Sequence, residues 1–204
     1  RFDLRRTLRA SLQTGGEPLA PRWLRRPRRA PHVVVLIDGS RSMSGYVETA
    51  LTLAAAMAAA TPRAEIFTFS TAVRRVTPGI RLAAAGRPTR LERLETAWGG
   101  GTDIGASLRA FLHTAGERLV RRDTVVVIVS DGLDVGEPSA LRDAMREIHR
   151  RSAGIVWLNP LRDTPGYEPT AAGMRAARPY VSTFTSVSDA DGLARLAREV
   201  KVRR

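Results

Sequence analysis

The stretch His32-Val33-Val34-Val35-Leu36-Ile37-Asp38-Gly39-Ser40-Arg41-Ser42 decides the reading of this chain. Val33 to Ile37 is a continuous β-branched and aliphatic run without polar alternation, the mark of a strand buried on both faces. Thr124 to Ser130 is a second fully apolar strand, and Glu65 to Ser70 and Gly154 to Leu158 read as further strands, the last broken by Asn159-Pro160. Helical stretches lie between them. Ser44 to Ala60 is Ala-rich and stopped by Thr61-Pro62, Ile104 to Leu119 repeats apolar residues at helical spacing, and Pro138 to Arg151 carries Pro in its first turn. Shorter elements complete the pattern. These are an edge strand over 72–77 turned by Pro78-Gly79, a short helix within 87–98, a helix over 170–177, a strand over 180–187, and a closing helix over 189–200 capped by Ser188 or Asp189. Alternating strands and helices with all-apolar strands specify an α/β fold, a mostly parallel central sheet with helices on both faces.

Composition sets outer limits. The chain has 204 residues, 43% hydrophobic, enough for one domain with an appendage. It has no Cys, which excludes a disulfide scaffold, a thiolate zinc site, an Fe–S cluster and a cysteine nucleophile. No apolar run reaches the ~18 residues of a membrane helix. The formal charge is +13, and residues 1–30 carry nine Arg against Asp3 and Glu17. We therefore divide the chain into an Arg-rich N-terminal arm, 1–30, and a folded domain, 31–204. The arm is either an anionic-surface patch or a solvated segment. Phe2 and Trp23 are its only aromatics, too few for base stacking, which argues against nucleic acid. Arg1 rather than Met at the start leads us to expect a trimmed chain.

In a parallel sheet the site lies at the carboxyl ends of the strands. Three segments there are unusual: Asp38-Gly39-Ser40-Arg41-Ser42; Gly99-Gly100-Gly101 leading into Thr102-Asp103 before a helix; and Ser130-Asp131-Gly132. Each alone reads as a turn or cap. Together they bring hydroxyls (Ser40, Ser42, Thr102) and carboxylates (Asp38, Asp131) to one edge. Such hard oxygen donors suit Mg²⁺, or Mn²⁺ or Ca²⁺. Neutral hydroxyls around the ion, with Asp38 and Asp131 orienting them, leave it electrophilic toward an Asp or Glu of a partner. Asp103 either joins this set or favours the positive N-terminus of the helix starting near Ile104. Arg41 and Trp98 lie at the proposed rim, where Trp98 is either a partner anchor or ordinary packing.

Asp38-x-Ser40-x-Ser42, then Thr102, then Asp131, resembles the metal-ion-dependent adhesion site of von Willebrand factor A domains. The resemblance covers about residues 31–200. It implies a three-layer, Rossmann-like von Willebrand A fold in which Ser40, Ser42 and Thr102 touch the ion while Asp38 and Asp131 act largely through water. Arg5-Arg6-Thr7-Leu8-Arg9, Gly15-Gly16-Glu17, Ser42-Met43, Trp157-Leu158-Asn159-Pro160 and Gly173-Met174 resemble bacterial CoxE-like proteins. That similarity implies a cytoplasmic protein-binding adaptor, not an enzyme. Its implied partners are a MoxR-type AAA+ ATPase and a protein client offering an Asp or Glu. Its implied role is maturation or remodelling of metalloenzymes, as in a helper of molybdenum- and copper-containing carbon monoxide dehydrogenase. Gly39 and Arg41 depart from the group's pattern, and Arg41 sets a cation beside the proposed ion.

Other activities are tested by the same residues. Lys201 is the only Lys, so no Walker A loop exists. The segment after strand one lacks the dinucleotide glycines, Ser40 stands where a haloacid-type phosphatase needs its second Asp, and no Gly-x-Ser-x-Gly elbow is present. His32, His113 and His149 are scattered. Two alternatives stand: a metal-dependent hydrolase at the same site, with Asp131 the least poor general base, and nucleic-acid or anionic-surface binding through the arm.

Overall fold

The computed structural model describes residues 32–87 and 102–187. The Arg-rich arm, the helix expected within 87–98, Trp98, the Gly99–Gly101 run and the closing helix over 189–200 lie outside the described residues.

A six-stranded sheet organises the domain: β1 (His32–Asp38), β2 (Ala64–Phe69), β3 (Val73–Arg75), β4 (Thr124–Val129), β5 (Gly154–Leu158) and β6 (Thr183–Thr185). Their spatial order is β3-β2-β1-β4-β5-β6, and only the β2–β3 pair is antiparallel. β1 pairs on one side with β2 and on the other with β4, so the order reverses at β1 and opens a crevice at the carboxyl ends of β1 and β4. This is the von Willebrand A arrangement that the motif implies.

The all-apolar strands are buried on both faces, as their composition requires. Val34, Leu36, Phe67, Phe69, Val126, Ile128, Ile155 and Trp157 point to one side. There they meet α3 (Ile104–Phe111), α4 (Pro138–Arg151) and α5 (Ala172–Ala177) through Leu108, Phe111, Leu141, Met145, Ile148 and Met174. Val35, Ile37, Ile66, Val127, Val129, Val156 and Leu158 point to the other. They meet α1 (Val47–Ala60) and α2 (Thr77–Ala84) through Ala50, Ala54, Ala58 and Ile80. Alanine at every fourth position of α1 lets its backbone lie close to the sheet. Beyond Phe111, α3 continues through a π turn over Leu112–Gly116.

Three local expectations change. Pro78-Gly79 does not turn the chain; it opens α2, with Pro in the first turn, where its missing N–H costs nothing. The strand read over 180–187 shrinks to Thr183–Thr185, because α5 runs on as a 3-10 turn through Arg178–Tyr180. The expected helix over 170–177 starts at Ala172.

The antiparallel edge is fastened by charge. Arg75 donates to both Glu65 carboxylate oxygens at 2.7 and 2.9 Å, and the Thr77 hydroxyl donates to Glu65 at 2.8 Å. The Arg75 hydrogen bond holds the Glu65 carboxyl below the usual glutamate range, with burial opposing and Thr77 assisting. A depressed carboxyl adds stability above its unfolded pKa and loses it as pH falls through the folded value. Glu65→Gln is therefore expected to flatten part of the loss of stability on acidification, read as urea midpoints across the acid range. An unchanged acid slope would show that this pair contributes nothing.

Candidate functional site

The crevice between β1 and β4 gathers the three segments. Asp38 ends β1 and is 1% exposed. Its Oδ1 accepts from the Ser40 N–H at 2.8 Å, and its Oδ2 accepts from the Ser130 hydroxyl at 2.6 Å. Ser130 Oγ also accepts from the Gly132 N–H at 3.0 Å, so one hydroxyl ties the end of β1 to the loop after β4. Ser40 precedes a 3-10 turn, Arg41–Tyr46, which buries Met43 completely against the sheet. That anchor fixes the turn. Ser40 Oγ and Ser42 Oγ come within 3.1 Å of each other. The spacing of two thus converges the hydroxyls as the sequence reading expects.

Asp131 is 2% exposed, and its Oδ1 accepts from the Leu133 N–H at 3.0 Å. Thr102 is also 2% exposed, and its buried hydroxyl has no hydrogen-bond partner among the described residues. A buried hydroxyl without a partner is costly, and native structures rarely keep one without a use. Asp103 caps α3, with its Oδ1 accepting from the Ala106 N–H at 2.6 Å. Of its two readings, the structure shows the one at the helix N-terminus. Arg41 is exposed on the turn.

Two carboxylates, Asp38 and Asp131, lie buried at this edge. Burial pushes the Asp38 carboxyl up to about 6, and nearby Asp131 adds to the rise, against the hydrogen bonds from Ser130 and Ser40. A divalent ion would relieve that cost. Among the described residues no three His, Cys, Asp or Glu side chains group to hold a metal. Any ion here would therefore rest on hydroxyls backed by two carboxylates, a hard-oxygen set that fits Mg²⁺ or Mn²⁺. The unpartnered Thr102 hydroxyl and the raised Asp38 carboxyl both fit such an occupant.

Several residues of the site were not singled out as such by the sequence. Ser130 acts through its side chain on Asp38. Trp157 Nε1 donates to the Ser130 carbonyl at 2.9 Å, and Asn159 Nδ2 donates to the Asp131 carbonyl at 2.9 Å. These two side chains, both 0% exposed, clamp the backbone that carries Asp131. Asp134 Oδ1 accepts from the Ile104 N–H at 2.8 Å and the Gly136 N–H at 3.1 Å, tying the loop to α3. Gly132 has φ +76°, and a Cβ there would lie 2.1 Å from Met174 Sδ. A Cβ on Gly173 would lie 2.7 Å from Asp134 Cβ. Trp157, Asn159, Gly173 and Met174 thus all brace the segment from Ser130 to Asp134. Their motifs were visible in the sequence, but their target was not.

Sequence comparison matches residues 1–193 to VWA domain containing CoxE-like proteins. The chain belongs to that family. The match includes the Arg-rich segment. A comparison with curated proteins finds no match. Among solved structures, the CoxE-like domain is similar to an aerotolerance-related membrane protein from Bacteroides fragilis NCTC 9343 carrying multiple mutations to serines. The TM-score is 0.51 at 16% identity, covering 84% of this chain and 98% of that one. It is also similar to the human COPII-coat protein Sec24c, with TM-score 0.52 and 10% identity over 84% of this chain and 32% of that one. BatB from Bacteroides thetaiotaomicron aligns at TM-score 0.49 and 16% identity, over 82% of this chain and 97% of that one. At these identities the likeness concerns the fold alone. No helix among the described residues of the CoxE-like domain is long and apolar enough to cross a membrane.

Proposed function

We propose that this CoxE-like chain is a divalent-metal-dependent protein-binding adaptor, non-catalytic, that recognises an acidic residue of a partner at the β1–β4 crevice. The observation that carries the reading is the buried Thr102 hydroxyl, without a hydrogen-bond partner among the described residues, whose carbonyl holds the loop leaving Asp131. Ser40, Ser42 and Thr102 would hold Mg²⁺ or Mn²⁺, with Asp38 and Asp131 balancing its charge. The bound ion supplies a coordination position open to a carboxylate oxygen. The protein's own residues do the rest. Ser130 and the Ser40 N–H fix the Asp38 carboxylate; Trp157 and Asn159 fix the backbone of Asp131; Met43 fixes the serine turn. A site held this rigidly binds without the entropic cost of ordering its own loops.

Family membership supports a protein-interaction role. With the CoxE-like motifs it extends the proposal to a MoxR-type AAA+ ATPase as working partner, a metalloenzyme as client, and the cytoplasm as the place of action.

Capture from the source organism's lysate tests the reading, with wild type and the Ser40→Ala/Ser42→Ala variant, each in Mg²⁺ and in EDTA. An AAA+ ATPase or metalloenzyme retained only by wild type in Mg²⁺ is the expected result. Retention that ignores both metal and mutation refutes the metal bridge. Thermal melting checks that the double variant is folded.

A further inference from the structure

Leu133 and Val135 are exposed at 50% and 74%, in a protein whose other large apolar side chains among the described residues are mostly buried. Both belong to the loop that leaves Asp131. The Leu133 N–H donates to the Asp131 carboxylate at 3.0 Å, and the Val135 N–H donates to the Thr102 carbonyl at 3.3 Å. Each exposed apolar residue is therefore fastened through its backbone to a residue of the crevice.

The loop cannot readily fold these side chains inward. Asp134, between them, is turned in, with Oδ1 accepting from Ile104 and Gly136 and Oδ2 buried. Gly136 lies so close to Asp103 that a Cβ on it would be 2.4 Å from the carboxylate. Leu133 and Val135 therefore stay exposed on either side of an inward-turned residue, on a loop held in place at both of them. Exposed apolar groups on a pinned loop beside a binding crevice mark a contact surface.

We propose that Leu133 and Val135 are the specificity-determining half of the partner site. The occupant is an extended peptide segment that carries an Asp or Glu with an aliphatic or aromatic residue within about three positions of it. The acidic residue goes to the crevice, where exposed Arg41 adds positive potential, and the apolar residue lies on Leu133 and Val135. This rests on the carboxylate-recognition reading above and adds the second determinant.

A random-peptide phage library panned on the immobilised full chain in Mg²⁺ tests it, with elution by EDTA. Wild type is expected to enrich peptides with an acidic residue and a nearby Leu, Ile, Val or Phe. The Leu133→Ser/Val135→Ser variant is expected to keep the acid and metal requirements, lose the apolar preference, and bind a wild-type-selected peptide about tenfold more weakly. Wild-type peptides with an acid but no apolar neighbour overturn the proposal and leave the metal reading standing. So does a variant with undiminished affinity. Enriched peptides that lack an acid or ignore EDTA overturn both. The absence of any Mg²⁺-dependent sequence shows that an extended acidic peptide is not the occupant, and the proposal falls.

Discussion

Thr102→Val is expected to melt at or above the wild-type temperature without divalent metal, and to show no further rise when Mg²⁺ is added. Valine matches threonine in shape and removes a buried hydroxyl that has no partner among the described residues, so no hydrogen bond described there is lost. Deleting an unsatisfied buried polar group relieves a cost of about 1–3 kcal/mol. Wild type should behave in the opposite way. Mg²⁺ at a hundred times its dissociation constant stabilises a folded protein by about 2.7 kcal/mol. That is roughly 5–11 °C for a chain of this size. The two melting curves should therefore cross: variant equal or higher in EDTA, wild type higher in Mg²⁺. A variant that melts well below wild type in EDTA would mean that the Thr102 hydroxyl has a structural partner. A variant that still responds to Mg²⁺ would remove Thr102 from the ligand set.

Gly105→Ala is expected to cause a large loss of stability, because the clash it creates is with backbone. A Cβ at Gly105 would lie 2.6 Å from the Leu141 backbone nitrogen and 3.0 Å from both the Ala140 carbonyl carbon and Leu141 Cα. All three are backbone atoms, so no rotamer change relieves the contact, and α3 and α4 must separate. Overpacking of this kind costs about 3 kcal/mol, the upper end of its usual range. A fall in melting temperature of roughly 6–12 °C follows. Gly79→Ala is the control. It lies within α2 with nothing inside 4 Å of the added Cβ, so it should be neutral or stabilising by about 0.5–1 kcal/mol. Equal melting temperatures for the two variants would show that α3 and α4 do not approach so closely. Because α3 begins two residues after Thr102, the Gly105 variant should also weaken Mg²⁺ binding.

The fold was legible because its strands are buried on both faces, and Val33–Ile37 or Val125–Val129 admit no other reading. The crevice was legible because three polar segments end such strands or open a helix. What the sequence hid is of another kind. Helix α2 was missed because Pro78-Gly79 is a turn signal unless Ile80 is known to have a sheet to pack on. Asp134 is an ordinary loop residue until the fold brings Ile104 to it, thirty positions back in the chain. Trp157 lies in the core, yet its indole N–H, not its bulk, reaches Ser130. Contacts between distant segments leave little trace in a single sequence, whereas periodicity and end signals do.

The hydrogen bond from Ser130 to Asp38 joins residues 92 positions apart, with α1, β2, β3, α2, α3 and β4 lying between them in the chain. No fragment lacking either β1 or β4 contains the crevice. Loop closure over such a separation comes late and slowly, since the entropy of closing must be met before the contact is gained. On the proposed metal-binding reading, the site forms during synthesis only once β4 has been made and paired with β1. Under that proposal, any nick, truncation or arrested intermediate that leaves β4 unpaired removes the site outright rather than weakening it by degrees.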